Sequence, residues 1–163
     1  MSEIGTYCQR IKDLNKQVSD FVRDIPVDGL NWRPPYENVN SLAVLASHIA
    51  GAQRFWILEV IGKQTATRDR AEEFKTIVSN GDELSATLSR TFGEVDDTLA
   101  SLSATDPGEI RQADGKDVPI RWGIIHIIDH TALHFGQMQL MYQLWSNGKS
   151  KPSPLWDQRL TLP

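Results

Sequence analysis

The sequence predicts an all-α fold: a four-helix bundle with a long crossover between helices 2 and 3 and a small hairpin-like insertion before helix 4. Three observations point there. Four long stretches carry apolar residues at steps of three and four, the spacing of one helical face. Proline- and glycine-bearing segments punctuate them. The longest connection, Lys63–Ser79, is polar and charged and lies between the second and third stretches.

In the first stretch Ile4, Tyr7, Cys8, Ile11, Leu14, Val18, Phe21, Val22 and Ile25 mark an amphipathic helix that Pro26 stops. Cys8 falls on the buried stripe and reads as a packed thiol rather than a nucleophile. Val27–Asn40 holds Pro34–Pro35, a glycine and three asparagines, which predicts a loop. Its Trp32, Arg33 and Tyr36 either cover a pocket mouth or pin the connection to the core. Pinning is the commoner use of such aromatic residues.

Asn40 or Ser41 caps the next helix, SLAVLASHIAGAQRFWILEVIG, which ends near Gly62. Helical spacing places His48 with Val44, Leu45, Ala52, Phe55 and Glu59 on its core-facing side. In the crossover a helical turn is expected near Arg70–Phe74, within an otherwise solvated loop. Asn80 with Glu83 three residues on resembles a helix start. Leu84, Leu88, Phe92, Val95, Leu99 and Leu102 then mark the third helix, ended by Asp106–Pro107–Gly108.

Asp114–Gly115 is a turn signal between two short extended pieces, Glu109–Gln112 and Val118–Ile120. The fourth helix, Arg121–Trp145, is apolar nearly all round, which predicts burial on most sides, within the bundle or at a dimer interface. Residues 147–163 read as an extended tail tacked down by Trp156 and Leu160. The whole chain, 1–163, is expected to be one domain.

Composition narrows the function. A chain of 163 residues, 40% apolar with five tryptophans, has enough material for one core. Seventeen basic against 21 acidic residues give a net charge of −4 with no basic cluster, so nucleic acid is not an expected partner. The single cysteine forms no internal disulfide, no stretch approaches a membrane span, and the N-terminus lacks a signal-peptide core. A cytoplasmic protein with a small-molecule substrate and no membrane partner is expected.

Three of the four histidines, His126, His130 and His134, repeat at i, i+4, i+8 on the fourth helix. Adjacent members lie one turn apart and can chelate one ion. The outer pair stands about 12 Å apart along the axis, too far for two bonds of about 2.1 Å to meet. One adjacent pair can therefore bind, and spacing permits either. The remaining histidine is His48. Taken alone, a histidine on a core-facing stripe is more often a hydrogen-bonded core residue than a ligand. Several buried imidazoles on one stripe without a cation would, however, leave many nitrogens needing partners. Three imidazoles with open positions suit Zn, Ni or Fe and lower the pKa of a bound water or thiol.

His48, then His130 and His134 followed by Gly136–Gln137, with NWRPP before the second helix and VPIRWGIIHIIDH before the pair, resembles the DinB-like (DinB/YfiT) family across nearly the whole chain. The resemblance implies a four-helix bundle, commonly a homodimer, that binds a divalent metal ion through His48, His130 and His134. It implies transferases or isomerases dependent on a low-molecular-weight thiol such as bacillithiol or mycothiol, and with the open metal positions the expected activity is a metal-dependent transferase or hydrolase activating a thiol or water. His126 matches a histidine not usually counted as a ligand. Phe135 stands where the family often has arginine, so this chain lacks whatever that arginine does for an anionic substrate. Asp129 and Gln137 are candidates to orient an imidazole, and neither is assigned as catalytic. The other class of function is a non-catalytic dimeric binding or stress-response protein with a structural metal or structural histidines.

Overall fold

A computed structural model describes residues 2–65 and 68–152, together with Leu155 and Gln158. The molecule is mostly helical with one small two-stranded sheet. Helix α1 spans Glu3–Arg23, and Ser2 caps it by accepting from the Gly5 amide. The expected loop after Pro26 begins instead with a short helix, α2 (Val27–Asn31). Proline before the first helical residue supplies a suitable backbone start without needing a hydrogen bond. Asn31 then pairs through its side-chain amide with both backbone groups of Val78, fastening this segment to the crossover. Trp32 packs against the main core cluster, whereas Tyr36 is 75% exposed, so of these two aromatic residues the tryptophan pins the connection.

Helix α3 (Leu42–Gln53) is capped by Ser41, whose hydroxyl accepts from the Val44 amide. From Arg54 to Ile61 the same rod continues as a π-helix, closed by a hydrogen bond from the Gly62 amide to the Ile57 carbonyl. The sequence predicts one regular α-helix here. A wider turn shifts the phase of the stripe, so that Ile57, Leu58 and Ile61 are buried while Phe55 and Glu59 are only half-buried.

In the crossover the expected turn forms helix α4 (Arg70–Glu73), capped by Asp69. Helix α5 (Gly81–Ala100) starts at Asn80, which accepts from the Asp82 amide. It stops at Ala100, short of the expected end, and Asp106–Gly108 makes a separate 3-10 turn. Strands β1 (Ile110–Ala113) and β2 (Lys116–Pro119) pair antiparallel, Ile110 opposite Pro119 and Ala113 opposite Lys116. Asp114 and Gly115 both take positive φ, 48° and 75°, the turn conformation whose twist matches a hairpin. The first strand lies one residue beyond the expected piece, the second begins two residues earlier and ends one earlier, and Ile120 already belongs to the last helix.

Helix α6 (Ile120–Trp145) packs on α1 and α3, and α5 packs on the same two helices from the other side. Two core clusters fill the interior. One centres on Phe21, Leu45, Ile49, Leu88 and Met138; the other on Ile11, Ile57, Leu99, Ile124 and Ile127. Between them lies a buried polar network. Asn15 and Gln53 exchange two amide hydrogen bonds of 3.0 and 2.6 Å, and Gln53 also donates to Thr131 at 3.2 Å. These bonds fix α1, α3 and α6 to one another beside His130.

Within the single chain α6 is buried on one side only, which leaves the dimer-interface alternative open. Trp122, Ile125, Leu133, Leu140 and Leu144 are between 40% and 63% exposed and form one stripe along the helix. No helix is long and apolar enough to cross a membrane among the described residues. The tail's Trp156 and Leu160 lie outside the described residues.

Candidate metal centre

Helices α3 and α6 face each other across the site. His48 projects from the middle of α3 and is 5% exposed. His130 and His134, one turn apart on α6, are half-buried at the border between that helix's core face and its exposed stripe. The rings of His48 and His130 have centroids 4.9 Å apart, those of His48 and His134 also 4.9 Å, and those of His130 and His134 4.4 Å. One ligand-type nitrogen from each of the three lies within 4.8 Å of the others, and the trio could hold a metal ion. His126 does not join them. It stacks flat on Trp122, 5.1 Å between centroids at 7°, and meets Trp56 edge-on at 5.2 Å.

The hydrogen bonds around the trio decide which nitrogens remain for an ion. His48 Nδ1 lies 2.9 Å from Glu73 Oε2, so its proton sits on Nδ1 and Nε2 carries the lone pair. His134 Nδ1 lies 2.7 Å from Gln137 Oε1, an acceptor, which likewise leaves Nε2 as a donor atom. His48 Nε2 is 3.1 Å from His130 Nε2. Two nitrogens each about 2.1 Å from a common ion are about 3.0–3.4 Å apart at right-angled to tetrahedral geometry. The separation therefore suits cis ligands of one ion. His130 Nδ1 is buried and has no hydrogen-bond partner among the described residues. The donor chemistry fits a borderline divalent cation.

Burial favours the neutral form of His48 and His130. Burial pushes His48 below the usual imidazole range, against the opposing pull of Glu73. His130 is pushed down to about 3, first by burial and then by its histidine neighbours. Glu73 is itself buried, which alone would raise its pKa, but hydrogen bonds from Arg68 and His48 hold it below the usual carboxylate range. Arg68 grips it as a fork, Nε to Oε1 at 2.6 Å and Nη2 to Oε2 at 2.8 Å. Gly51, one turn beyond His48, is what lets the carboxylate come so close: a Cβ there would stand 1.9 Å from Glu73 Oε1. Phe74 closes the outer side, its ring 5.1 Å from that of His48.

Glu73 and Arg68 are the site residues that sequence reasoning missed. Both lie in a highly charged connection where one glutamate looks like the next, and only the small Gly51 beside His48 hinted at a close approach. Asp129, a candidate for orienting His130, is exposed, and no hydrogen bond joins the two among the described residues; the carboxylate at the site comes from the crossover instead. Phe135 is buried and packs edge-on against Phe21, 5.4 Å between centroids, so that position serves the core. Beside Gln137 a cavity of about 240 Å³ is lined by Val39, Leu45, Leu140 and Met141, with the amides of Asn38 and Asn40. No charged side chain among the described residues lines it.

A mostly helical protein with three imidazoles gathered between two facing helices is thus the class that fold and site define. The sequence profile of the DinB superfamily matches residues 11–138, and the chain belongs to that superfamily. Its fold is similar to that of a DinB-like protein from Bacillus cereus ATCC 10987, with a TM-score of 0.74 at 14% identity over 91% of this chain and 95% of that one. It is also similar to a conserved protein from Enterococcus faecalis, with a TM-score of 0.75 at 15% identity over 90% of this chain and 99% of that one. No curated protein sequence matches the chain.

Proposed function

We propose that the protein is a divalent-metal-dependent enzyme of the DinB-like type, with His48, His130 and His134 as ligands to Zn, Ni or Fe. The observation that carries this reading is the convergence of the three imidazoles while Glu73 holds the far nitrogen of His48. Superfamily membership supports it. In this reading Glu73 fixes the tautomer and direction of His48, Arg68 keeps Glu73 ionised and in place, and Gln137 does for His134 what Glu73 does for His48. A bound divalent ion supplies Lewis acidity, lowering the pKa of a water or thiol so that it can attack at neutral pH. The activity is that of a thiol-dependent transferase or a hydrolase, with a low-molecular-weight thiol as co-substrate in the first case. The uncharged cavity beside Gln137 suits a small neutral electrophile. The architecture is read as a four-helix bundle of α1, α3, α5 and α6, on the strength of their four mutual packings. It is taken to act in the cytoplasm as a homodimer, for which the exposed apolar stripe of α6 is the supporting feature.

The test is metal analysis of protein purified without an affinity tag, for the natural sequence and for His48→Ala. About one equivalent of metal in the first and little in the second is expected of a three-ligand site. Equal content in both sinks the ligand set. Metal binding without turnover of any thiol-and-electrophile pair, together with a melting temperature lowered by chelator, would assign the ion a structural task instead.

A further inference from the structure

Beside the histidine trio, and sharing Arg68 and Glu73 with its surroundings, α3, α4 and α5 enclose a cleft of about 370 Å³ that none of the three histidines lines. Its floor is apolar, formed by Ala50, Leu84 and Leu88. Its rim is cationic, with Arg54, Arg68 and Arg90 against only two carboxylates, Asp69 and Glu73. Both carboxylates are already engaged within the protein. Asp69 accepts from the Glu72 amide to cap α4, and Glu73 is held by Arg68 and His48. The arginines are less fully used. Arg54 makes a single 3.0 Å bond to Glu94, and Arg90 has no ion-pair partner among the described residues. Each guanidinium carries five N–H donors, so most of the donor capacity of Arg54 and all of that of Arg90 remains available. The hydroxyls of Ser47 and Thr87 add neutral donors between rim and floor.

An apolar floor beneath a rim of unspent guanidinium donors matches one kind of small molecule, an anionic head on a short hydrocarbon chain. We propose that this cleft is a second ligand site, separate from the histidine trio, for a small monocarboxylate bearing a short alkyl chain. The carboxylate takes Arg90 and Arg54, and the chain lies along Ala50, Leu84 and Leu88. Arg54 and Arg90 lie near the surface, so either can be replaced without opening the core.

Titration calorimetry on the full-length chain, as purified and again after chelator treatment, tests this with hexanoate as probe. Saturable binding is expected in both preparations, weaker by about tenfold or more in Arg90→Gln and in Arg54→Gln, as for loss of a charge-assisted hydrogen bond. Circular dichroism of both variants should match the parent. 1-Hexanol, which lacks the charge, hexylammonium, which reverses it, and inorganic phosphate, which lacks the chain, should each bind more weakly than hexanoate. Absence of saturable binding, equal binding by Arg90→Gln, or equal binding of any of the three comparison compounds overturns the proposal. So does binding that chelator abolishes, which would move the ligand to the histidines. Because hexanoate is expected to bind with or without metal, failure of the metal assignment leaves this result untouched.

Discussion

In the proposed metal site, much of the behaviour of His48 is set by an atom that would never meet the ion. Its Nδ1 faces Glu73, and that one hydrogen bond fixes which nitrogen points at His130 and His134. Replacing Glu73 by glutamine keeps the shape but removes the charge that Arg68 grips and weakens the hold on the Nδ1 proton. Glu73→Gln is therefore expected to lower metal affinity by about 10–100-fold, with three histidines still present, as measured by competition with a chelating dye. Unchanged affinity would mean that the carboxylate serves stability alone. At this scale the sequence was half legible. Histidines are scarce in this chain, and four-residue spacing on a long helix is a strong signal, so His130 and His134 could be seen as a chelating pair. Spacing could not choose between that pair and His126 with His130. In the structure the difference lies in the neighbours: Trp122 stacks on the His126 ring and Trp56 meets it edge-on. Cys8 also follows expectation, since it packs against the second core cluster and burial raises its pKa above the usual thiol range.

Among the elements, α3 carries the most demands. It must present His48 to α6, leave room for Glu73 at Gly51, and place Gln53 in the buried amide network. Its extent was legible because Asn40–Ser41 and Gly62 bracket a largely apolar run, although the sequence did not choose between the two caps. The widening to a π-helix after Gln53 was not, because periodicity reports the average pitch of a stretch and not a local change in it. The polar network escaped for a related reason: an asparagine and a glutamine on different helices are ordinary surface residues until packing opposes them. Asn15→Leu alone is expected to destabilise the fold by about 1–3 kcal/mol, because Gln53 keeps its amide in the core without its partner. Urea unfolding measures this. A variant as stable as the parent would show that water replaces Asn15.

For the molecule as a whole, the unresolved demand is the exposed stripe of α6. A second copy packed there two-fold would bury the same five side chains from both partners. Leu133→Glu combined with Leu140→Glu is expected to halve the mass seen by light scattering while leaving the helical content unchanged. If the parent is already monomeric, the stripe has no such role. The helical class, the order of the long helices and the hairpin were legible because they follow from periodicity, caps and turns, each a local property. The crossover was legible only as a turn, because what it contributes depends on where α3 and α5 happen to bring it. That has a temporal consequence. Every long helix can form from neighbouring residues, but the bond from His48 to Glu73 closes a loop of 25 residues and the approach of His48 to His130 one of 82. Closing such loops is entropically slower than winding helices. In a newly made chain the scaffold can therefore stand before the site exists, and α4, a single turn tethered by Glu73, is the piece whose arrival completes it.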